Sequence, residues 1–192
     1  MFKTLTVLKG KDADSSMLSD QELMLAFIKG DQQAFRVLYE RFVRRVFSMA
    51  YRFSRDYETS KDITQEVFLR LYQKKNLYNP QISFNTFFYR LAYNCILNYI
   101  RDHQEERVNT DATPIALSTQ TTPEQIAGAI ETFERIEKRI DALPTSQKTA
   151  FILNKIEGLS YNEVAEIMDT NINTIKSLIH RATMSIIGIK DE

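Results

Sequence analysis

The side chains best suited to chemistry in this chain are suited to recognition. Between Phe84 and Arg101, rings alternate with amides and cations: Phe84, Phe87, Phe88, Tyr89, Arg90, Tyr93, Asn94, Asn98, Tyr99 and Arg101. Unpaired nucleic acid requires that mixture. Each splayed base stacks on a ring for ~1–3 kcal/mol while a cation holds its phosphate, and the gain offsets the few kcal/mol lost on unstacking. Phe84, Phe87, Phe88 and Leu91 also have the spacing of a buried helical stripe, so the contact set expected at the surface is Arg90, Tyr93, Asn94, Asn98 and Arg101. A second polar group, Asn173, Thr174, Lys176, Ser177, His180 and Arg181, offers donors for phosphates and base edges near the C-terminus. His180 reads equally well as a solvated histidine, since nothing beside it suggests a metal or a proton shuttle. A third group, Asp62, Gln65, Glu66 and Leu69, falls on one broad helix face. Helix-on-helix docking uses such a face, and a solvated acidic surface is the plain alternative.

Other chemistries find little support. There is no Gly-rich phosphate loop, no clustered His/Cys/Asp/Glu set and no nucleophile–base pair, so neither an enzyme nor a cofactor is expected. The single cysteine, Cys95, has no disulfide partner, and with His103 and His180 it has no standard metal-ligand spacing. No apolar run approaches the ~20 residues of a membrane span, and Met1–Gly10 lacks a signal peptide's apolar core. A cytoplasmic protein with no membrane insertion is therefore expected. The 192 residues have zero net charge, but Arg36–Arg101 carries 12 basic against 5 acidic residues, whereas Val108–Glu192 carries 8 against 12. A basic segment inside a neutral chain suits a polyanion-binding module joined to something else, or simply a solvated helix face.

The elements that must position these groups are helices. Only 5 Gly and 4 Pro leave little turn chemistry for a sandwich or barrel, and an all-α fold is expected. Ser19 with Glu22 makes a capping box, Gly30 stops the first helix and Asp31 caps the next. In that second helix Phe35, Leu38, Tyr39, Phe42, Val43, Val46, Phe47 and Ala50 form an inward stripe, leaving Arg41, Arg44, Arg45, Arg52 and Arg55 as an arginine-rich exterior. A third helix over about Glu58–Lys75 and a fourth over about Ser83–Glu106 complete a compact bundle. Val108–Thr122 then loses periodicity and reads as a flexible linker. Thr122-Pro123-Glu124-Gln125 restarts helix, with Ile126, Ile130, Phe133, Ile136 and Ile140 as its stripe. Leu143-Pro144 breaks it, and a further helix runs to Glu157 and ends at Gly158. Ser160 with Glu163 caps a short helix, Tyr161–Met168. After a turn at Asp169–Asn173 a last helix, about Ile172–Ile187, closes at Gly188. Short helix, tight turn and longer helix, with small Ala165 where the two approach, make a helix-turn-helix. That arrangement places its second helix in a major groove, and plain helix packing has the same shape.

The order of motifs resembles the bacterial RNA polymerase sigma factors of the extracytoplasmic-function (ECF) type over nearly the whole chain. Gly30-Asp31, Ala34-Phe35 and Leu38-Tyr39, then Asp62 to Leu69 as DITQEVFL, then Phe84 to Asn94 as FNTFFYRLAYN with Arg101 beyond, are similar to sigma region 2. Leu143-Pro144, Glu157 to Tyr161, Glu163-Val164-Ala165, Thr174 to Ser177 and His180-Arg181-Ala182 are similar to region 4. The resemblance implies a region 2 helical bundle at 1–107, a linker at 108–122 and a region 4 helix-turn-helix domain at 123–192. It implies that Asp62, Gln65, Glu66 and Leu69 face the clamp coiled coil of the largest catalytic subunit of core RNA polymerase. It further implies promoter DNA as partner, melted single strand at Arg90, Tyr93, Asn94, Asn98 and Arg101, and duplex at the last helix, chiefly Lys176 and Ser177. An anti-sigma factor is the third implied partner. Phe87 stands where the family usually has Trp, and Asp169 where a turn Gly is usual. Leu178, Thr183 and Ile187 replace usual arginines, which implies a weak electrostatic hold by the last helix.

Two readings from other classes compete. A helix-turn-helix regulator that does not bind core polymerase would explain Tyr161–Ile187, but its N-terminal half should then be a ligand or phosphoacceptor domain. A helical protein-binding adaptor would show no salt-dependent DNA binding.

Overall fold

The computed structural model describes residues 17–102 and 135–188, and these are helical with no strand. The expected linker, the restart at Thr122–Gln125 with Ile126, Ile130 and Phe133, the end of the fourth helix near Glu106, and the two domain boundaries lie outside the described residues.

The caps set the element order. At α1 (Asp20–Ile28), Glu22 N–H donates to Ser19 Oγ at 3.3 Å and Ser19 N–H donates to Glu22 Oε2 at 2.8 Å, so two orphan donors are satisfied reciprocally. Gly30 then turns the chain at φ 105°, and Asp31 accepts from Gln33 and Ala34 N–H to start α2 (Gln32–Ser54). α2 ends on Arg55, which adopts a left-handed φ of 55° that the sequence does not announce. Asp56 caps α3 (Tyr57–Lys74), accepting from Thr59 N–H at 2.7 Å. α4 (Phe84–Asp102) follows a short 3-10 turn at Lys75–Leu77.

Aromatic packing fixes α4 in this bundle. Phe42 of α2 lies 5.3 Å from Phe84 and 4.8 Å from Phe88, and Phe68 of α3 lies 5.6 Å from Phe88, ring centre to ring centre. Each buried ring contributes ~1.5–3 kcal/mol relative to exposure, with ~0.5–1.5 kcal/mol more from tilted ring pairs. Leu91, Ala92, Cys95 and Ile96 continue the buried stripe down α4, so its opposite edge is held rigidly.

In the C-terminal unit α5 spans 135–141, and α6 (Thr145–Phe151) runs directly into a π-helical turn, Ile152–Ile156. The sequence predicts one uniform helix here. The wider turn closes through Glu157 N–H to Ile152 O at 3.0 Å, while Asn154 Nδ2 donates to Leu159 O at 2.7 Å. Such a register change leaves residue periodicity almost untouched. α7 (Tyr161–Ile167) begins with the Ser160/Glu163 capping box. Asp169 takes the left-handed turn position at φ 50°, and α8 (Ile172–Ile187) runs from an Asn171 cap to Gly188. Ala165 is buried where α7 meets α8.

Two expectations about α2 are corrected. Tyr39, placed in the inward stripe, is 43% exposed, because its ring lies over the outside of Phe68 at 4.6 Å rather than beneath it. Arg52 and Arg55, placed on the solvated exterior, are largely covered by α5, where Glu137 and Asp141 meet them. The apolar core is likewise continuous between the two units, from Phe88 and Ile96 through to Ile152, Leu153, Val164 and Ile175.

Candidate nucleic-acid interface

On α4 the five expected contact residues do not share one environment. Asn94 and Arg101 are exposed, and Arg101 pairs at the surface with Asp102 at 3.1 Å. Tyr93 and Asn98 are half-buried, a correction to their expected exposure; Tyr93 packs against the core, and burial raises its hydroxyl pKa. Arg90 is corrected more sharply. Its guanidinium donates to the backbone oxygen of Glu166 on α7 and lies 3.4 Å from that residue's carboxylate, so an acid of the other unit already answers its charge. Among the rings, Phe84, Phe88 and Tyr89 are core, and Phe87 is half-buried against Tyr78 at 5.2 Å. The accessible edge of α4 is therefore built mainly from Asn94 and Arg101, flanked by the partly open Tyr93 and Asn98. Cys95 faces inward, where burial pushes its thiol up to about 11, too high for a thiolate at neutral pH. Among the described residues no group of His, Cys, Asp and Glu could hold a metal ion.

α8 is the opposite case. Asn173, Thr174, Lys176, Ser177, His180 and Arg181 are all exposed. Asn171 Oδ1 accepts from Thr174 N–H at 2.8 Å and from its hydroxyl at 3.1 Å, which closes the first turn. This leaves Lys176, Ser177 and Arg181 free of any such local bond to the helix cap. The residues standing where arginines are usual behave unlike groove contacts. Leu178 is half-buried against the core and Thr183 returns its hydroxyl to Ile179 O at 2.8 Å, while Ile187 is exposed near the end of the helix.

On α3, Asp62, Gln65 and Leu69 are exposed, Leu69 by 51%. Glu66 is half-buried, and Arg70 Nε donates to its carboxylate at 2.6 Å. Tyr39, which the sequence reading placed inward, and Tyr72, which it did not single out, are both exposed. Tyr72 stands three residues beyond Leu69, a spacing that was available as a signal. The result is a polar row, Asp62 and Gln65, bordering an apolar strip of the kind a partner helix covers.

Known proteins share these features. The family described as Sigma-70 region 2 matches residues 38–106, and that described as Sigma-70, region 4 matches residues 133–185. The ECF RNA polymerase sigma-E factor of Escherichia coli (strain K12) is 31% identical over 181 residues, 90% of this chain and 94% of the relative. The ECF RNA polymerase sigma-E factor of Haemophilus influenzae is 33% identical over 178 residues, covering 88% and 93%. Two solved structures share the fold. CnrH in complex with the cytosolic domain of CnrY has a TM-score of 0.67 at 20% identity, over 88% of this chain and 96% of that one. The sigma factor RpoE in complex with the anti-sigma factor NepR, from Bartonella quintana, has a TM-score of 0.66 at 18% identity, over 81% and 95%.

Proposed function

Because the chain belongs to the ECF RNA polymerase sigma factors, we propose how its surfaces divide the work of promoter recognition and transcription initiation. The α3 face of Asp62, Gln65, Glu66 and Leu69 docks the clamp coiled coil of core polymerase, with Tyr39 and Tyr72 widening the apolar part of that contact. The α4 edge captures unpaired bases of the minus-ten element. Asn94 reads a flipped base, Tyr93 and Asn98 line its path, and Arg90 and Arg101 hold phosphates. α8 contacts the minus-thirty-five element as duplex through Asn173, Thr174, Lys176, Ser177, His180 and Arg181. The unit boundaries go with this assignment: bundle at 1–107, linker at 108–122, helix-turn-helix unit at 123–192.

The observation that carries the reading is that all six polar α8 residues are exposed on the second helix of a helix-turn-helix, in the same chain as an α4 edge of amides and cations. One element suits duplex and the other suits single strand. No catalytic step falls to this chain, because the polymerase supplies the chemistry and this protein supplies recognition. It acts in the bacterial cytoplasm, where polymerase and promoter meet. An anti-sigma factor is its proposed restraint, in line with the sigma factor RpoE held by the anti-sigma factor NepR. Run-off transcription with core enzyme and genomic DNA tests the assignment: transcripts should start only when both proteins are present. A helix-turn-helix regulator acting without core would instead bind duplex and give no core-dependent start. A protein-binding adaptor would bind neither DNA form in a salt-dependent way.

A further inference from the structure

The two ends of α8 are held in different ways. Its first turn is closed from within by Asn171, and its buried stripe, Ile175, Ile179 and Ala182, stops well short of Gly188. Beyond Ala182 no side chain of α8 is fully buried: Thr183, Met184 and Ile186 are half-buried, while Ser185 and Ile187 are exposed. A groove of about 390 Å³, lined by Arg135, Ile136, Arg139, Ile186 and Ile187, opens beside that final turn, so apolar packing does not fasten it. The turn also carries no basic residue of its own to answer its orphan carbonyls and the negative end of the helix dipole.

Arg139 of α5 supplies what the helix lacks. Its Nη1 donates to Ile186 O at 2.6 Å, a charge-assisted bond to one of the orphan carbonyls, and the guanidinium lies against Gly188. Glycine is required at 188 on two counts: its φ is 85°, and a Cβ there would stand 2.6 Å from Arg139 Nη1. Ile186 continues the row of Ile175, Ile179 and Ala182, so the tie lies on the inward side of the helix, away from the exposed face that carries Arg181. Arg181 itself precedes the last buried anchor by one residue and lies about 7.5 Å along the axis from Ile186. We propose that Arg139 is a positioning residue for duplex recognition. By tying the end of α8 to α5 it keeps the last turns helical, and so holds Arg181 at the height and angle that meet a DNA phosphate. The inference rests on the proposed duplex role of α8.

The test uses the full chain and a labelled random-sequence duplex, with affinity read by fluorescence anisotropy between about 50 and about 200 mM salt. Arg139→Met removes the donors and keeps an apolar stem, and Arg139 is in neither the proposed DNA-binding nor the proposed polymerase-binding set. The variant should reduce the steepness of log affinity against log salt by roughly 0.9, one phosphate contact, as Arg181→Ala alone should. In an Arg181→Ala background the same substitution should change nothing further, because a residue that acts through Arg181 then has nothing to position. Arg139→Lys, which retains a donor for Ile186 O, should keep most of the parental slope. A lower melting temperature with an unchanged slope would make Arg139 merely structural, and a second loss of roughly 0.9 in the Arg181→Ala background would make it a phosphate contact itself. Either result overturns the proposal. Amide hydrogen exchange separates the proposal from the reading beneath it: Arg139→Met should speed exchange at residues 185–188 by about tenfold, the loss of one charge-assisted bond. If Arg181→Ala leaves the slope unchanged, the duplex role of α8 fails and positioning fails with it, and faster exchange marks Arg139 as a helix cap alone. If Arg181→Ala flattens the slope while Arg139→Met changes neither slope nor exchange, the duplex role stands and the positioning role alone is overturned.

Discussion

α4 and α8 both carry polar side chains suited to nucleic acid, yet the molecule treats them differently. α4 is clamped at its N-terminal end, where its Phe84 and Phe88 pack against Phe42 of α2 and Phe68 of α3, and its contact set sits at the margin of that core, partly covered. α8 buries Ile175, Ile179 and Ala182 on one stripe and leaves its whole polar side in water. The contrast fits the proposed division of work. An element that receives an unpaired base needs a rigid edge so that the base, rather than the protein, gives up its freedom on binding. An element that lies in a groove needs only an exposed face of the right width.

The sharpest break in the comparison is to loosen α4's clamp. Phe88→Ala should cost ~3–5 kcal/mol of unfolding free energy, since the ring is fully buried among four others. Ser177→Ala on exposed α8 should stay within about 0.5 kcal/mol of the parent. Equal losses in denaturant unfolding would show that α4 is no more fixed than α8.

Next in size is the α3 face. Asp62→Ala with Gln65→Ala should weaken core polymerase association by roughly tenfold, with the melting temperature unchanged, because both side chains are exposed. Unchanged affinity in a fluorescence titration with core would move the docking surface elsewhere, with the apolar strip of Tyr39, Leu69 and Tyr72 the next to be substituted.

A smaller effect joins α4 to α7, the first helix of the helix-turn-helix, through Glu163, which caps α7 and accepts from Ser83 just before α4. Burial pushes its carboxyl upward, but hydrogen bonds from Ser160, Ser83 and Thr86 outweigh that and hold it below the ordinary value of 4.5. A depressed folded value means that the contribution is complete above 4.5 and is lost as pH falls through the lower folded value. Thermal unfolding of Glu163→Gln should therefore lose less stability over that acid window than the parent. Parallel pH profiles would remove Glu163 from the account.

The smallest effect concerns salt. Each phosphate contact adds roughly −0.9 to the slope of log affinity against log salt on duplex DNA, so Lys176→Ala with Arg181→Ala should flatten the slope by about 1.8. Leu178→Arg should leave the slope unchanged and lower stability, because Leu178 packs inward. Steepening by Leu178→Arg would show instead that this position faces the groove.

Much of this was legible in the sequence because it depends on local chemistry. Ser19, Asp31, Ser160 and Asn171 all sit at or beside the predicted helix starts, and each accepts a backbone N–H there. Asp169 takes the left-handed turn position that replaced the usual Gly. The exposed face of α8 follows directly from its period. What was not legible depends on partners distant in the chain. Arg52 and Arg55 look solvated until α5 brings Glu137 and Asp141 to them, and Lys148 looks like a surface cation until it is buried between Asp141 and Arg52. Arg90 likewise has the pattern of a free cation, and only tertiary placement supplies Glu166. The π-turn at Ile152–Ile156 changes backbone bonding without changing residue type.

The division of labour between α4 and α8 is tested most directly by permanganate footprinting of the polymerase complex on a promoter, with duplex binding measured in parallel. Asn94→Ala should lose thymine reactivity in the upstream element while retaining duplex binding, because a base read after unpairing contributes nothing before it; Lys176→Ala with Ser177→Ala should lose duplex binding first. Footprints of equal intensity for the Asn94→Ala variant and its parent would contradict the assignment of α4 to the melted strand.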